Sequence, residues 1–157
     1  MANLHMGKYE RSVNGKGRIC LPQPLLKALQ VSGSDEVVLI KGKEKCIYLY
    51  DSDAWQGIIK KAKNQLSYAE CQLLMRYVLP PKVSMSKIDS QGRVLIPANL
   101  RQYAAIAGRV MIISALDRIE IWNLEEWLAH LNTLEDVVNQ QFSNPSLRKV
   151  TRYQQAT

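Results

Sequence analysis

Apolar positions change their period several times along this chain. Val37-Val38-Leu39-Ile40 and Val110-Met111-Ile112-Ile113 are unbroken β-branched or apolar runs, the mark of short strands. Each is followed by a mostly alternating stretch, Ile47-Tyr48-Leu49-Tyr50 and Ile119-Glu120-Ile121-Trp122, which predicts a strand packed on one side. Upstream lie pairs of shorter strands, Lys8–Val13 with Arg18–Leu21 and Val83–Ile88 with Arg93–Ile96, each pair around a turn. Pro22 and Pro97 end the outgoing strands and open short apolar helices over 22–29 and 97–104, where a missing N–H costs nothing. Asp51 or Ser52 caps a helix carrying Trp55, Ile58 and Ile59. Ser67 with Glu70 forms a capping box opening a second helix over 68–79, which Pro80-Pro81 stops, and Asn123 with Glu126 repeats the cap signature before Trp127.

These elements come in two sets. Val13-Asn14-Gly15-Lys16-Gly17-Arg18-Ile19-Cys20-Leu21-Pro22 recurs as Ile88-Asp89-Ser90-Gln91-Gly92-Arg93-Val94-Leu95-Ile96-Pro97, and helix, β-branched strand, alternating strand and tryptophan-bearing helix follow in the same order. Trp55 and Trp127 close the two copies. Each copy reads β-β-α-β-β-α, an α+β protein in tandem. Asn14-Gly15 predicts a hairpin turn because both residues tolerate positive φ, and Asp89 to Gly92 predicts a slightly longer one. The expected organisation is a first repeat with linking helices over 6–79, a second over 82–135, and a basic, flexible tail over 142–157 holding Arg148, Lys149 and Arg152.

One copy without its closing helix is about 45 residues, too small to stabilise a core without staples or a partner. The two halves are therefore expected to interlock as one small barrel about a pseudo-twofold axis, each covering the other's apolar face. Both turns then project from related places. A two-stranded ribbon fits the major groove of DNA, and a twofold pair of ribbons matches the symmetry of a duplex.

Charge favours the same partner. The chain carries 21 Lys and Arg against 14 Asp and Glu, a net +7, which suits an anionic surface. Residues 1–80 hold 12 basic and 7 acidic side chains, and residues 81–157 hold 9 and 7. Lys8, Arg11, Lys16 and Arg18 oppose only Glu10 around the first turn, whereas 120–141 carries five acidic residues and no Lys or Arg. The basic cluster Lys60-Lys61-Lys63 lacks the broad apolar face of a membrane-binding helix and reads as a solvated surface. No apolar run reaches the ~20 residues of a bilayer crossing, and no signal peptide is expected.

Arg18 and Arg93 follow the turn glycines Gly17 and Gly92 at equivalent places. A guanidinium can bind guanine O6 and N7 with two bonds, which makes this pair the first candidate for reading DNA, with Lys16 and Gln91 in the turns beside them. Asn14 and Asp89 fold the turns by accepting backbone N–H bonds through their side-chain oxygens, together with Gly15. Catalysis finds no footing: no nucleophile elbow, Walker loop or zinc-protease motif is present, and His5 and His130 have no sequence partners. The three cysteines, Cys20, Cys46 and Cys71, are odd in number and widely spaced; they read as buried thiols, with neither a metal site nor a disulfide framework. The tryptophans and tyrosines read as core and interface material rather than base-stacking platforms, with Tyr9, expected to be exposed, the exception.

At Asn14-Gly15-Lys16-Gly17-Arg18 and Asp89-Ser90-Gln91-Gly92-Arg93, each running into a strand and then Pro, the sequence resembles the SpoVT-AbrB family, whose signature is Asp-x-x-x-Arg. The likeness, to tandem members of the family, covers about residues 6–135. It implies a swapped-hairpin barrel with peripheral helices, and a cytoplasmic, nucleoid-associated transcriptional regulator that forms a ring of identical subunits. It further implies repression of the regulator's own promoter, in the division and cell wall gene cluster, through repeated boxes of double-stranded DNA. Neither a cofactor nor a small-molecule effector is implied. Arg18, Arg93, Arg11, Lys27 and Arg101 carry over as DNA-binding residues, while Ser86 stands where Arg11 would recur. Asn14 departs from the signature Asp and drops the charge that could orient Arg18. Ile58, Ile59, Leu73, Leu74 and Tyr77 serve either subunit contacts or internal packing. An antitoxin component, as in single-repeat relatives, and a scaffold that does not read DNA are the alternative functions.

Overall fold

A computed structural model describes residues 7–30 and 35–142. The elements are β1 (Gly7–Ser12), β2 (Arg18–Cys20), α1 (Gln23–Gln30), β3 (Glu36–Lys41), β4 (Ile47–Asp51), α2 (Ser52–Gln65) and α3 (Tyr68–Leu73), then β5 (Val83–Lys87), β6 (Arg93–Leu95), α4 (Ala98–Tyr103), β7 (Arg109–Ala115), β8 (Arg118–Asn123) and α5 (Leu124–Phe142). The predicted order β-β-α-β-β-α therefore stands in both copies. The chain divides into two units, one through Leu124 and one from Glu125 that contains nearly all of α5. Apart from Phe142, the last residue of α5, the predicted basic tail lies outside the described residues.

The halves exchange strands. The main sheet runs β1-β7-β8-β4-β3-β5, so β1 of the first copy pairs with β7 of the second, β5 of the second pairs with β3 of the first, and β4 meets β8 at the centre. Exchanging equivalent strands reverses this order and leaves it unchanged. The second sheet holds only β2 and β6, antiparallel, with Arg18 opposite Leu95, Ile19 opposite Val94 and Cys20 opposite Arg93. Beyond its ends the bonds are reciprocal: Leu21 N–H donates to Gly92 C=O and Ile96 N–H to Gly17 C=O, at 3.0 and 2.9 Å. Ile19 and Val94, both fully buried, thus face each other across the pseudo-twofold.

Both copies line the core, with Leu25, Leu39, Ile47 and Leu49 from the first and Ile96, Leu100, Ile112, Ile119 and Ile121 from the second. Each such side chain gains about 1.5–3 kcal/mol from burial. Tyr9 is partly buried against this core rather than exposed, because β1 alternates and turns Tyr9 inward. The cysteines also differ from expectation. Cys46 is buried, and burial pushes its thiol up to about 12, but Cys71 is half-buried and Cys20 exposed. Strand β2 has only three residues and buries its middle one, so Cys20 faces outward with Arg18.

The linking helices follow their caps. Asp51 Oδ1 accepts from Ala54 N–H at 2.7 Å, and the capping box is complete, with Glu70 N–H donating to Ser67 Oγ and Ser67 N–H to Glu70 Oε1. The second helix differs from the predicted 68–79. Its α-helical part ends at Leu73 and passes into a π-helical turn, Leu74–Val78, in which Leu79 N–H reaches back five residues to Leu74 C=O. Ile59 and Leu74 line the crevice between α2 and α3, while Ile58, Leu73 and Tyr77 are exposed. The apolar set thus divides between internal packing and an outer face.

Candidate nucleic-acid interface

Twin turns build the site. Asn14 N–H donates to Arg18 C=O and Gly17 N–H to Asn14 C=O; Asp89 with Arg93, and Gly92 with Asp89, do the same, at 2.9–3.0 Å throughout. Both are three-residue hairpin loops closed by glycine in the left-handed region, φ +80° at Gly17 and +76° at Gly92. The two turns are therefore the same length, against the expectation of a shorter first one. Gly15 lies in the turn but is not at positive φ, a role that falls to Gly17.

The capping oxygens behave as foreseen. Asn14 Oδ1 accepts from the N–H groups of Lys16 and Arg18 at 3.0 and 2.9 Å, and Asp89 Oδ1 accepts from Gln91 and Arg93, both at 2.9 Å. Asp89 has a second oxygen, Oδ2, which takes the Arg93 Nε–H at 2.9 Å. The Arg93 backbone N–H above all, aided by the Arg93 side chain and the Gln91 N–H, holds the Asp89 carboxyl below the ordinary aspartate range. Asn14 offers no such oxygen to Arg18.

A depressed carboxyl contributes order above its unfolded value, about pH 4, and loses it as pH falls through the lower folded value. In an NMR titration the amide shifts of Gln91 and Arg93 are expected to move with a midpoint below about pH 4, while those of Lys16 and Arg18 hold still. Equal movement in both turns would contradict this origin.

Residues directly opposite in an antiparallel pair share a face. Ile19 and Val94 point inward, so Arg18, Cys20, Arg93 and Leu95 all lie on the outer face of the β2–β6 ribbon. Arg18 and Arg93 are diagonal neighbours there, about 7–8 Å apart. Lys16 and Gln91 are exposed at the tips of the flanking turns.

The other predicted residues are less uniform. Arg11 is half-buried on β1, its guanidinium 5.9 Å from the Tyr9 ring centre and bonded to Glu10 C=O. Lys27 is exposed on α1. Arg101 lies against the first turn: a Cβ built on Gly17 would meet its guanidinium carbon at 2.6 Å. The same construction on Gly92 meets Leu26 Cδ1 at 2.6 Å. Leu26 and Arg101 are equivalent positions, so each short helix covers the other copy's turn. Ser86, in place of a second Arg11, donates to Leu95 C=O at 3.1 Å and ties β5 to β6. Lys87, exposed at the end of β5 two residues before Asp89, is a further cation that lies outside the turn motif and is visible in the sequence only as charge within the second repeat.

Among the described residues there is no group of three or more His, Cys, Asp or Glu that could hold a metal, and no helix long and apolar enough to cross a membrane. His130 packs near Trp127 within α5, ring centres 6.4 Å apart.

Exchanged strands, a palindromic sheet and paired turn arginines define a tandem swapped-hairpin protein. The model of a family described as "MraZ protein, putative antitoxin-like" matches residues 4–76 and 84–152. The chain belongs to the MraZ family. Similar proteins include three named Transcriptional regulator MraZ. That of Thermoanaerobacter sp. (strain X514) is 35% identical over 83% of this chain and 88% of its own length. Those of Lachnoclostridium phytofermentans and Caldanaerobacter subterraneus subsp. tengcongensis are 32% and 35% identical, over 79% and 78% of this chain and 84% and 82% of their own.

Proposed function

We propose that the chain is a sequence-specific DNA-binding transcriptional regulator, repressing its own promoter in the division and cell wall gene cluster. The observation that carries the reading is the outward ribbon face, where Arg18 and Arg93 stand as diagonal neighbours between two identically folded turns. Guanidinium groups so placed can fork onto a guanine edge or a phosphate, while Lys16, Gln91, Lys27, Arg11 and Arg101 supply further phosphate and base contacts. The relatives' printed name supports the regulatory role. The exposed Ile58, Leu73 and Tyr77 face of the linking helices joins subunits into a ring, which acts on the nucleoid in the cytoplasm. Several modest ribbons on one assembly then bind spaced repeats tightly, because each bound ribbon raises the effective concentration of the next.

The test is retardation of a fragment from the gene's own upstream region, with light scattering to give the mass of the protein. Binding is expected to fall steeply with salt, by about 10³-fold or more between about 50 and 200 mM if six or more phosphates are engaged. A folded Arg18→Ala/Arg93→Ala variant is expected to lose the shift. Unchanged binding by that variant overturns the site; equal retardation of any duplex overturns specific regulation; a stoichiometric toxin recovered with the protein favours the antitoxin role.

A further inference from the structure

The two hairpins share a backbone and differ in charge. Arg11, Asn14 and Lys16 of the first correspond to Ser86, Asp89 and Gln91 of the second, and the residue covering the turn glycine is Arg101 on the first but Leu26 on the second. Residues 8–18 hold four basic side chains and one acid; residues 83–93 hold two and one. The acid of the first stretch, Glu10, is bound by Arg109, whereas that of the second, Asp89, sits on Arg93 itself.

We propose that the hairpins take unequal roles on one duplex: the first grips phosphates through Arg18, Lys16 and Arg101, and the second reads a base edge through Arg93 held by Asp89. This rests on the DNA-binding reading above. Phosphate binding draws its energy from counterion release and tolerates loosely held cations, which suits an arginine with no carboxylate in its turn. The Arg101 guanidinium lies on the turn backbone, with its Nε shielded and lacking a hydrogen-bond partner among the described residues. It has already lost part of its hydration before an anion arrives, which lowers the cost of pairing. Base reading asks for the opposite, a guanidinium fixed in direction. Asp89 holds Arg93 by Nε and leaves both Nη groups for a bidentate contact, while its own charge repels a phosphate.

The experiment compares, by fluorescence anisotropy over a range of salt, the upstream duplex with a shuffled duplex of the same composition. Asn14→Asp, which installs the residue the other turn already folds with, and Arg101→Leu, which installs its counterpart, are each expected to weaken both duplexes alike. Each is expected to lower the log–log salt slope by about one. Arg93→Ala is expected to cut the ratio between the duplexes about tenfold or more, and Asp89→Asn to lower that ratio by strengthening binding to the shuffled duplex. Circular dichroism checks that each variant is folded. Unchanged slopes for Asn14→Asp and Arg101→Leu, or Arg93→Ala weakening both duplexes alike, overturn the division of roles while leaving regulation standing. A native protein that binds neither duplex overturns the DNA-binding reading, and this proposal with it.

Discussion

Residues 1–81 produced alone are expected to form no folded monomer. In that piece β3 and β4 keep each other, but β1 loses β7, β2 loses β6, and β4 loses β8. Ile19, Leu25, Leu39, Ile47 and Leu49 are fully buried in a core that the second copy half builds. Each gains about 1.5–3 kcal/mol from burial, so removing half of their cover costs several kcal/mol, comparable with the whole ~5–15 kcal/mol of a typical domain. One folded outcome remains open to the fragment. Because the exchange is pseudo-symmetric, a second fragment can stand in for the missing copy, with β2 against β2 and Ile19 against Ile19. Far-UV circular dichroism with light scattering distinguishes the cases: an unfolded chain or a dimer is expected, and a folded monomer would contradict the interlocking.

The interlocking could be read from the sequence because it follows from arithmetic. A repeat shifted by 75 positions, and copies too short to fold, leave few solutions other than mutual cover, and the strand exchange of β1 and β5 is one way to provide it. The capping box at Ser67 and Glu70 was equally legible, since both partners lie within one turn of helix. What local pattern could not give was anything decided across the pseudo-twofold. Asn14-Gly15 looks like a two-residue turn, yet the bonds from Asn14 N–H to Arg18 C=O and from Gly17 N–H to Asn14 C=O close a three-residue loop, and Gly17 takes the positive φ. Cys20 sits in apolar company, but its strand is so short that only Ile19 is covered by Val94. Arg101 carries over from the resemblance as a DNA-binding cation of the short helix, and only the crossing of α4 over the first turn shows what it covers. The α-to-π change at Leu74 has no signal in the apolar spacing, which fits a continuous helix as well.

That crossing sets the second large effect, a difference between two formally equivalent substitutions. Gly17→Ala and Gly92→Ala each place a Cβ on a residue near φ +80°, which costs about 1–2 kcal/mol for an L residue. Beyond that they part. At Gly92 the new methyl meets Leu26 Cδ1, and Leu26 is buried in the core with little room to retreat, so overpacking adds about 1–3 kcal/mol. At Gly17 the methyl meets the end of the Arg101 side chain, which is flexible and can swing into solvent. Urea denaturation is therefore expected to show Gly92→Ala destabilised by about 2–5 kcal/mol and Gly17→Ala by about 1–2 kcal/mol. Equal losses would mean that Leu26 yields as easily as Arg101, and that the short helices do not clamp the turns unequally. The milder variant carries its own consequence for binding: with Arg101 displaced from the first turn, Gly17→Ala is expected to lose DNA affinity out of proportion to its small loss of stability.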